Sequence, residues 1–408
     1  MAETATAQQV LQYMTRPFFS PEVETARKTA SPQAAYVKAA AECPIRRNED
    51  GSVTLLRMAD INTLNRHKDV LGNGHAGGGI GAVRRRLIPL DLDGPEHTKY
   101  RKLMDPLFTA KKLAHLEPAI RQQANERIER FIAQGGADVY AVWCEPLPSS
   151  IFLSLMGIPQ SDLDYFLSFK NAQLHPDLNQ PIERMFAEMK AAAERCYTYF
   201  ERVIDDRAKR GEPGDDLIGW CLTAEVDGHR FTREDILDIT YLLVIAGLDT
   251  VAASLACILC YLARHPEQRR WILADKSRWP AAIEELMRFE SPVTEGTRKP
   301  LVDIELGGEK IAAGTVCHVS WASANLDPAV FPDPLKVDLT RTPNPHIAFA
   351  SGFHRCLGSH LARLELRAAL DQFHARIPDY RLGVPVEELA FSGNPRTPEK
   401  LPLTWGRS

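Results

Sequence analysis

The chain has 408 residues, 44% of them hydrophobic and 25% charged, which allows a large buried core and excludes a disordered chain. Its formal charge of −4 argues against a general nucleic-acid binder. The opening residues, MAETATAQQVLQYMTRPFFS, lack the apolar run of a signal peptide, and no uninterrupted stretch of about 18 apolar residues predicts a membrane span.

The expectation is a soluble, cytoplasmic, monomeric protein, mainly α with a small β part. No Gly/Ser linker, repeat or low-complexity tract divides it. Residues 1–408 therefore read as a single large domain, with 1–30 as a loosely ordered N-terminal extension.

In chain order, SPQAAYVKAAAEC predicts a helix with Ser31 as N-cap and Pro32 at its first position. PIRR and SVTLLRM, separated by NEDG, predict a small hairpin. GNGHAG, Gly72 to Gly77, matches a dinucleotide-binding pattern, but helical character before it and a broken pattern after it point to a surface loop. Helical periodicity recurs in HLEPAIRQQANERIERFIAQ, in IERMFAEMKAAAERCYTYFERVIDDRAKR and in PAAIEELMRFE. The longest helix starts at FTRED, where Thr232 and Asp235 resemble a capping box. It runs about thirty residues and is apolar on most sides, as a helix through the middle of a core should be. VDIEL and TVCHVSW predict short strands, and the proline-rich LDPAVFPDPLKVDLTRTPNPH predicts irregular structure.

The eight cysteines show no disulfide scheme. Cys257 and Cys260 form a CxxC inside a continuous helical pattern and read as core. Cys356 differs. FASGFHRCLG sets it among glycines and basic residues, directly before the helical SHLARLELRAAL. A thiolate at a helix N-terminus is stabilised by unpaired backbone N–H groups, and it suits either a nucleophile, with His354 nearby as a base, or a metal ligand.

Phe349, Gly352, His354, Cys356 and Gly358 fill the pattern FxxGxHxCxG, which resembles the haem-binding loop of the cytochrome P-450 monooxygenases. Three further segments resemble that family in order and spacing: AGLDT (Ala246 to Thr250), ELMR (Glu285 to Arg288) and DGPEHTKYRKLMDPLF (Asp93 to Phe108). The resemblance implies a soluble, bacterial-type haem-thiolate monooxygenase. Its haem b would lie between the long helix and the cysteine-loop helix, with Cys356 as the axial iron ligand and Phe349 in the haem loop. Ala246 and Gly247 would then leave room for the macrocycle and O2. Thr250 would hydrogen-bond a water or the reduced dioxygen, and Asp249 would relay protons. His97, Arg101, Arg298 and His354 would surround the haem propionates. Glu285 and Arg288 would be structural, with a third partner in the proline-rich run.

Two positions depart from the family pattern. Lys336 stands where the third partner is expected to be arginine, and lysine lacks the planar fork. Ala350 replaces the usual glycine and is expected to need a negative φ.

Electrons are expected from a separate iron–sulfur ferredoxin and its reductase, with NAD(P)H acting only through them. Lys99, Lys102, Lys111, Lys112 and Arg355 are a candidate basic patch for such an acidic carrier. Candidate substrate contacts are Leu243, Ala246, Val293 and Thr294, with loop 70–90 and FSGN at 391–394. They are compatible with a terpenoid, steroid, fatty acid or aromatic compound, and Arg84 to Arg86 is a weaker candidate for holding a carboxylate.

The expected reaction is hydroxylation or epoxidation of an apolar substrate with one atom of O2. Its rivals are a non-enzymatic haem-thiolate sensor and a peroxide-driven oxygenase. Asp249 and Thr250 favour the first, because neither rival needs protons delivered to reduced dioxygen.

Overall fold

The computed structural model describes residues 18–72 and 86–406. All of GNGHAG beyond Gly72, and Arg84 and Arg85, lie outside the described residues. Helices dominate the described chain. The elements used below are α1 (Pro21–Ala26), α2 (Gln33–Glu42), β1 (Ile45–Arg47), β2 (Val53–Leu55), α3 (Met58–Arg66), β3 (Val70–Leu71), α4 (Gly94–Met104) and α5 (Glu117–Glu129). After them come α6 (Pro146–Met156), α7 (Leu163–Leu174), α8 (Ile182–Arg210), α9 (Arg233–Arg264), α10 (Trp279–Glu290), β4 (Glu295–Pro300), β5 (Cys317–Ser320) and α11 (Ser359–Arg376).

The chain forms two compact units. Among the described residues, the first holds 71–72, 86–109 and 149–249; the second holds 18–70, 110–148 and 250–406. In the first, α8 buries Met185, Met189, Ala192, Cys196, Phe200 and Ile204, a stripe at helical spacing, and it stops at Gly211 in the left-handed conformation (φ +68°).

The second unit contains a sheet of order β1-β2-β5-β4-β3. β1 and β2 form the expected hairpin, with Ile45 opposite Leu55 and Arg47 opposite Val53. β5 lies parallel to β2 and antiparallel to β4, in a register that sets Cys317 beside both Val53 and Arg298. Val53, Leu55 and Val319 of its strands share one buried cluster with Ile61, Leu64 and Phe331. α2 begins later than its sequence predicts. Pro32 occupies the N-cap position, and the Ser31 hydroxyl instead accepts a hydrogen bond from Arg264 Nη1 at 3.1 Å.

α9 has the predicted start. The Thr232 N–H donates to Asp235 Oδ2 at 2.9 Å, and the Asp235 N–H donates back to Thr232 Oγ1 at 3.1 Å. This helix is long and apolar enough to cross a membrane, but 83% of its most apolar window is buried, which makes it a core helix. Cys257 and Cys260 are buried on it, as packing residues.

Candidate active site

The cysteine loop is held mainly by its backbone. The Ile347 N–H donates to Asn325 Oδ1 at 2.7 Å, the Ala350 N–H to the Ile347 carbonyl at 2.9 Å, and the Cys356 N–H to the Phe349 carbonyl at 2.9 Å. Gly352 sits at φ +72°, and a Cβ there would lie 2.0 Å from the Asn65 carbonyl oxygen of α3, so only glycine permits this approach. Beside it, Ser351 Oγ donates to Asn62 Oδ1 (2.7 Å) and accepts from Asn65 Nδ2 (3.1 Å).

Ala350 corrects the expectation of a negative φ. It sits at φ +56°. The loop keeps the left-handed turn that a glycine would make, and the alanine carries a conformational cost of about 1 kcal/mol.

Cys356 is exposed three residues before the first residue of α11, whereas Cys144, Cys196, Cys221, Cys257, Cys260 and Cys317 are buried. Burial pushes the thiols of those six upward and keeps them protonated. An exposed sulfur at a helix N-terminus, flanked by His354 and Arg355, suits a soft metal ligand.

Two polar clusters brace this loop. Arg363 of α11 lies over the Phe349 ring at 4.3 Å and donates to both oxygens of Glu284 at 2.7 Å. His346 Nδ1 accepts from the Ala348 N–H (3.2 Å), so its Nε2 carries the hydrogen donated to Glu284 (2.9 Å). Burial raises the affinity of Glu284 for a proton, but Arg363 and His346 outweigh it and hold the carboxyl at about 2.

Next to it, Glu285 and Arg288 form a wholly buried fork with both contacts at 2.8 Å. Arg288 also donates to the carbonyls of Asn325 and Pro334. The third partner is Arg341, whose Nε donates to Glu285 Oε2 at 3.1 Å, and not Lys336. Lys336 contributes only its backbone carbonyl, accepting from Arg341 at 3.2 Å. In a run without regular structure, position along the sequence did not reveal which cation turns back to Glu285.

On α9, every residue from Asp235 to Ala263 is buried except Ala246, Gly247 and Thr250. These three form an accessible window in an otherwise enclosed helix. Gly247 also has a packing role, since a Cβ there would lie 2.6 Å from the Phe152 ring of α6.

Asp249 is buried. Lys170 Nζ donates to its Oδ1 at 3.1 Å, and His175 Nε2 lies 3.0 Å from its Oδ2. Burial disfavours the Asp249 charge, but the His175 hydrogen bond and the Lys170 charge prevail, and the carboxyl is held below its ordinary value. Sequence reasoning missed both partners. The only signal was a lysine embedded in the apolar FLSFKNAQL.

His97 and Arg101 fall on α4 in the first unit, and Arg298 and His354 in the second. His97 is buried, and Arg101 pairs with Asp105 at 2.7 Å. Arg298 is buried on β4 and donates to the Thr297 carbonyl at 2.7 Å, while His354 is half-buried at the turn before Cys356. Of the expected substrate contacts, Leu243 and Thr294 are buried and Val293 is half-buried. The Thr294 hydroxyl accepts from Arg27 Nη2 at 3.0 Å. Arg86 pairs with Glu96 at 3.2 Å. A separate cleft of about 530 Å³ opens in the second unit between Leu113, Glu117, Pro280, Glu284, Arg363 and Arg367, and includes none of the expected substrate contacts.

With this geometry in hand, comparison with known proteins gives a consistent answer. The family model described as Cytochrome P-450 matches residues 81–272 and 279–374. The chain belongs to the cytochrome P-450 family. Its relatives include a mycinamicin IV hydroxylase/epoxidase of Micromonospora griseorubida, 36% identical over 78% of this chain and 79% of that protein. A methyl-branched lipid omega-hydroxylase of Mycobacterium tuberculosis is 36% identical over 77% and 74%, respectively. Among solved structures, CYP109E1 of Bacillus megaterium in complex with testosterone superposes with a TM-score of 0.82 at 26% identity, covering 92% of this chain and 99% of that one. The protein is a monooxygenase of that family, whose members use haem and O2.

Proposed function

We propose that Cys356 is the axial ligand of a haem b, and that the enzyme hydroxylates or epoxidises a bulky apolar molecule. The observation that carries this reading is the exposed Cys356 sulfur at the N-terminus of α11, in a chain whose other cysteines, except Cys43, are buried. What supports a haem here is a soft sulfur at Cys356 with Arg298 and His354 of the same unit as hydrogen-bond donors to carboxylates. Bound haem supplies the activation of O2 and the transfer of one oxygen atom.

The protein does the rest. Arg298 and His354 on the second unit and His97 and Arg101 on the first offer hydrogen-bond donors to carboxylates, for which Arg101 would exchange Asp105. Thr250 presents its side chain at the window and holds a proton there, and Asp249, the preceding residue, resupplies it. Ala246 keeps that face free of bulk, while Gly247 makes room for the Phe152 ring. Leu243, Ala246, Val293 and Thr294 border the substrate. The relatives named for a macrolide and a branched lipid support a large apolar substrate.

Electrons come from a ferredoxin and its reductase. In support, Lys111, Lys112 and Arg355 are exposed on the second unit, and Lys102, though paired with Asp227 at 3.4 Å, is exposed on the first; Lys99 is half-buried. We place this single-domain enzyme in the cytoplasm, as a monomer.

The test is spectral and then catalytic. The ferrous carbonyl complex should show the red-shifted Soret band of thiolate ligation, and Cys356→Ser should abolish it; a histidine-type spectrum in the parent protein would overturn the assignment. Conversion of testosterone or a branched fatty acid with ferredoxin, reductase and NADPH, and not with peroxide alone, should follow. The reverse result would favour the peroxide-driven reading.

A further inference from the structure

The Asp249 cluster contains more than the proposed relay uses. Asp249 and Lys170 are enclosed, with side-chain exposures of 1% and 0%, while His175 is 28% exposed. His175 caps the C-terminus of α7, its backbone N–H bonded to the Asn171 carbonyl at 2.9 Å, and its ring spans from the surface to the carboxylate. Among the described residues, Lys170 and His175 are the charged or titratable groups that act on Asp249.

The three side chains are chemically unequal. Lys170, buried at 0% exposure, sets its Nζ against Oδ1 of the carboxylate. A histidine can take a proton on one ring nitrogen and release one from the other near neutral pH. Of the two described groups bonded to Asp249, His175 is the one that is partly exposed to solvent.

We propose that His175 is the residue through which solvent protons reach Asp249, with Lys170 as the fixed charge that keeps the carboxylate aimed. This rests on the reading of Asp249 as a relay to Thr250. In each cycle Nδ1 takes a proton from solvent, the hydrogen on Nε2 passes to Asp249 Oδ2, and the neutral ring then turns over to restore its starting tautomer. Reducing O2 to peroxide consumes two protons with two electrons from NADPH, so the route is exercised even without an organic substrate. His175 is a positioning residue and does not touch the reacting atoms.

The test compares His175→Gln with Asp249→Asn in the haem-loaded protein. Oxygen uptake is followed with NADPH and saturating plant-type ferredoxin and reductase, from pH 6 to 9, in light and heavy water. Glutamine preserves a hydrogen bond to Asp249 but cannot carry a proton. His175→Gln should lower uptake about tenfold, alter the pH profile and enlarge the solvent isotope effect, in line with the loss of a positioned proton-transfer group. Its carbonyl spectrum should match that of the parent. A uniform drop with an unchanged profile and isotope effect would overturn the proposal, reducing His175 to a structural contact. Parent-like uptake in His175→Gln with impaired Asp249→Asn would overturn it too, while leaving Asp249 as the relay. Parent-like behaviour in both variants would defeat the relay itself.

Discussion

Two buried ionic clusters occupy the two units, and their compositions differ. Beneath the cysteine loop, Glu285 is gripped by Arg288 and Arg341; in the first unit, Asp249 is gripped by Lys170 and His175. Both clusters neutralise an enclosed carboxylate. Arginine is always charged and locks geometry through its planar fork, and its surplus N–H groups tie down the carbonyls of Asn325 and Pro334. Lysine and histidine hold the carboxylate with fewer bonds, and one of them can exchange protons. The first arrangement suits a scaffold, the second a site that must change charge.

The most damaging way to break the contrast is Arg288→Ala. It removes the buried fork on Glu285, leaving that carboxylate to Arg341 alone among cations, and unpairs three carbonyls from Arg288, and should cost about 3–5 kcal/mol in urea unfolding and abolish haem retention. Lys170→Met, which leaves Asp249 buried with only His175, should by comparison leave a folded protein with impaired turnover. Next in size is Thr250→Ala, which should preserve the substrate-induced spin shift but cut product formed per NADPH by about tenfold, with peroxide making up the balance.

A smaller effect sharpens the comparison at low pH. The Glu284 carboxyl is depressed to about 2 when folded, so the stability it contributes is present above the ordinary glutamate range and is lost as pH falls from about 4.5 toward 2. After allowance for solvent screening this amounts to about 1–2 kcal/mol. Glu284→Gln should flatten the acid limb of a pH-dependent unfolding series. The smallest change is Ala350→Gly, which should stabilise the protein by about 0.5–1 kcal/mol by relieving the left-handed alanine at φ +56°.

Much of this was legible in the sequence, for identifiable reasons. Thr232 and Asp235 announced the start of α9 because a capping box is local and both its bonds form within one turn. The α8 stripe was legible because helical periodicity does not depend on tertiary partners. Contacts made at a distance were not legible. Arg341 reaches Glu285 across 56 positions of chain, and His175 reaches Asp249 across 74. Neither residue carries a local pattern that distinguishes it from a surface cation. Ala350 was misjudged because the conformation was inferred from the side chain, whereas the hydrogen bond from its N–H to the Ile347 carbonyl and the neighbouring contact of Gly352 with α3 fix the backbone there.

Asp249 and Thr250 are consecutive residues of one uninterrupted helix, so their side chains leave its axis about 100° apart. In the proposed relay, donor and recipient therefore share one helix. No hinge, loop or ligand can alter the angle between them without unwinding α9. Inserting one residue anywhere between Asp235 and Leu243 would rotate both together with respect to the start of the helix, whereas inserting one between them would destroy their relationship.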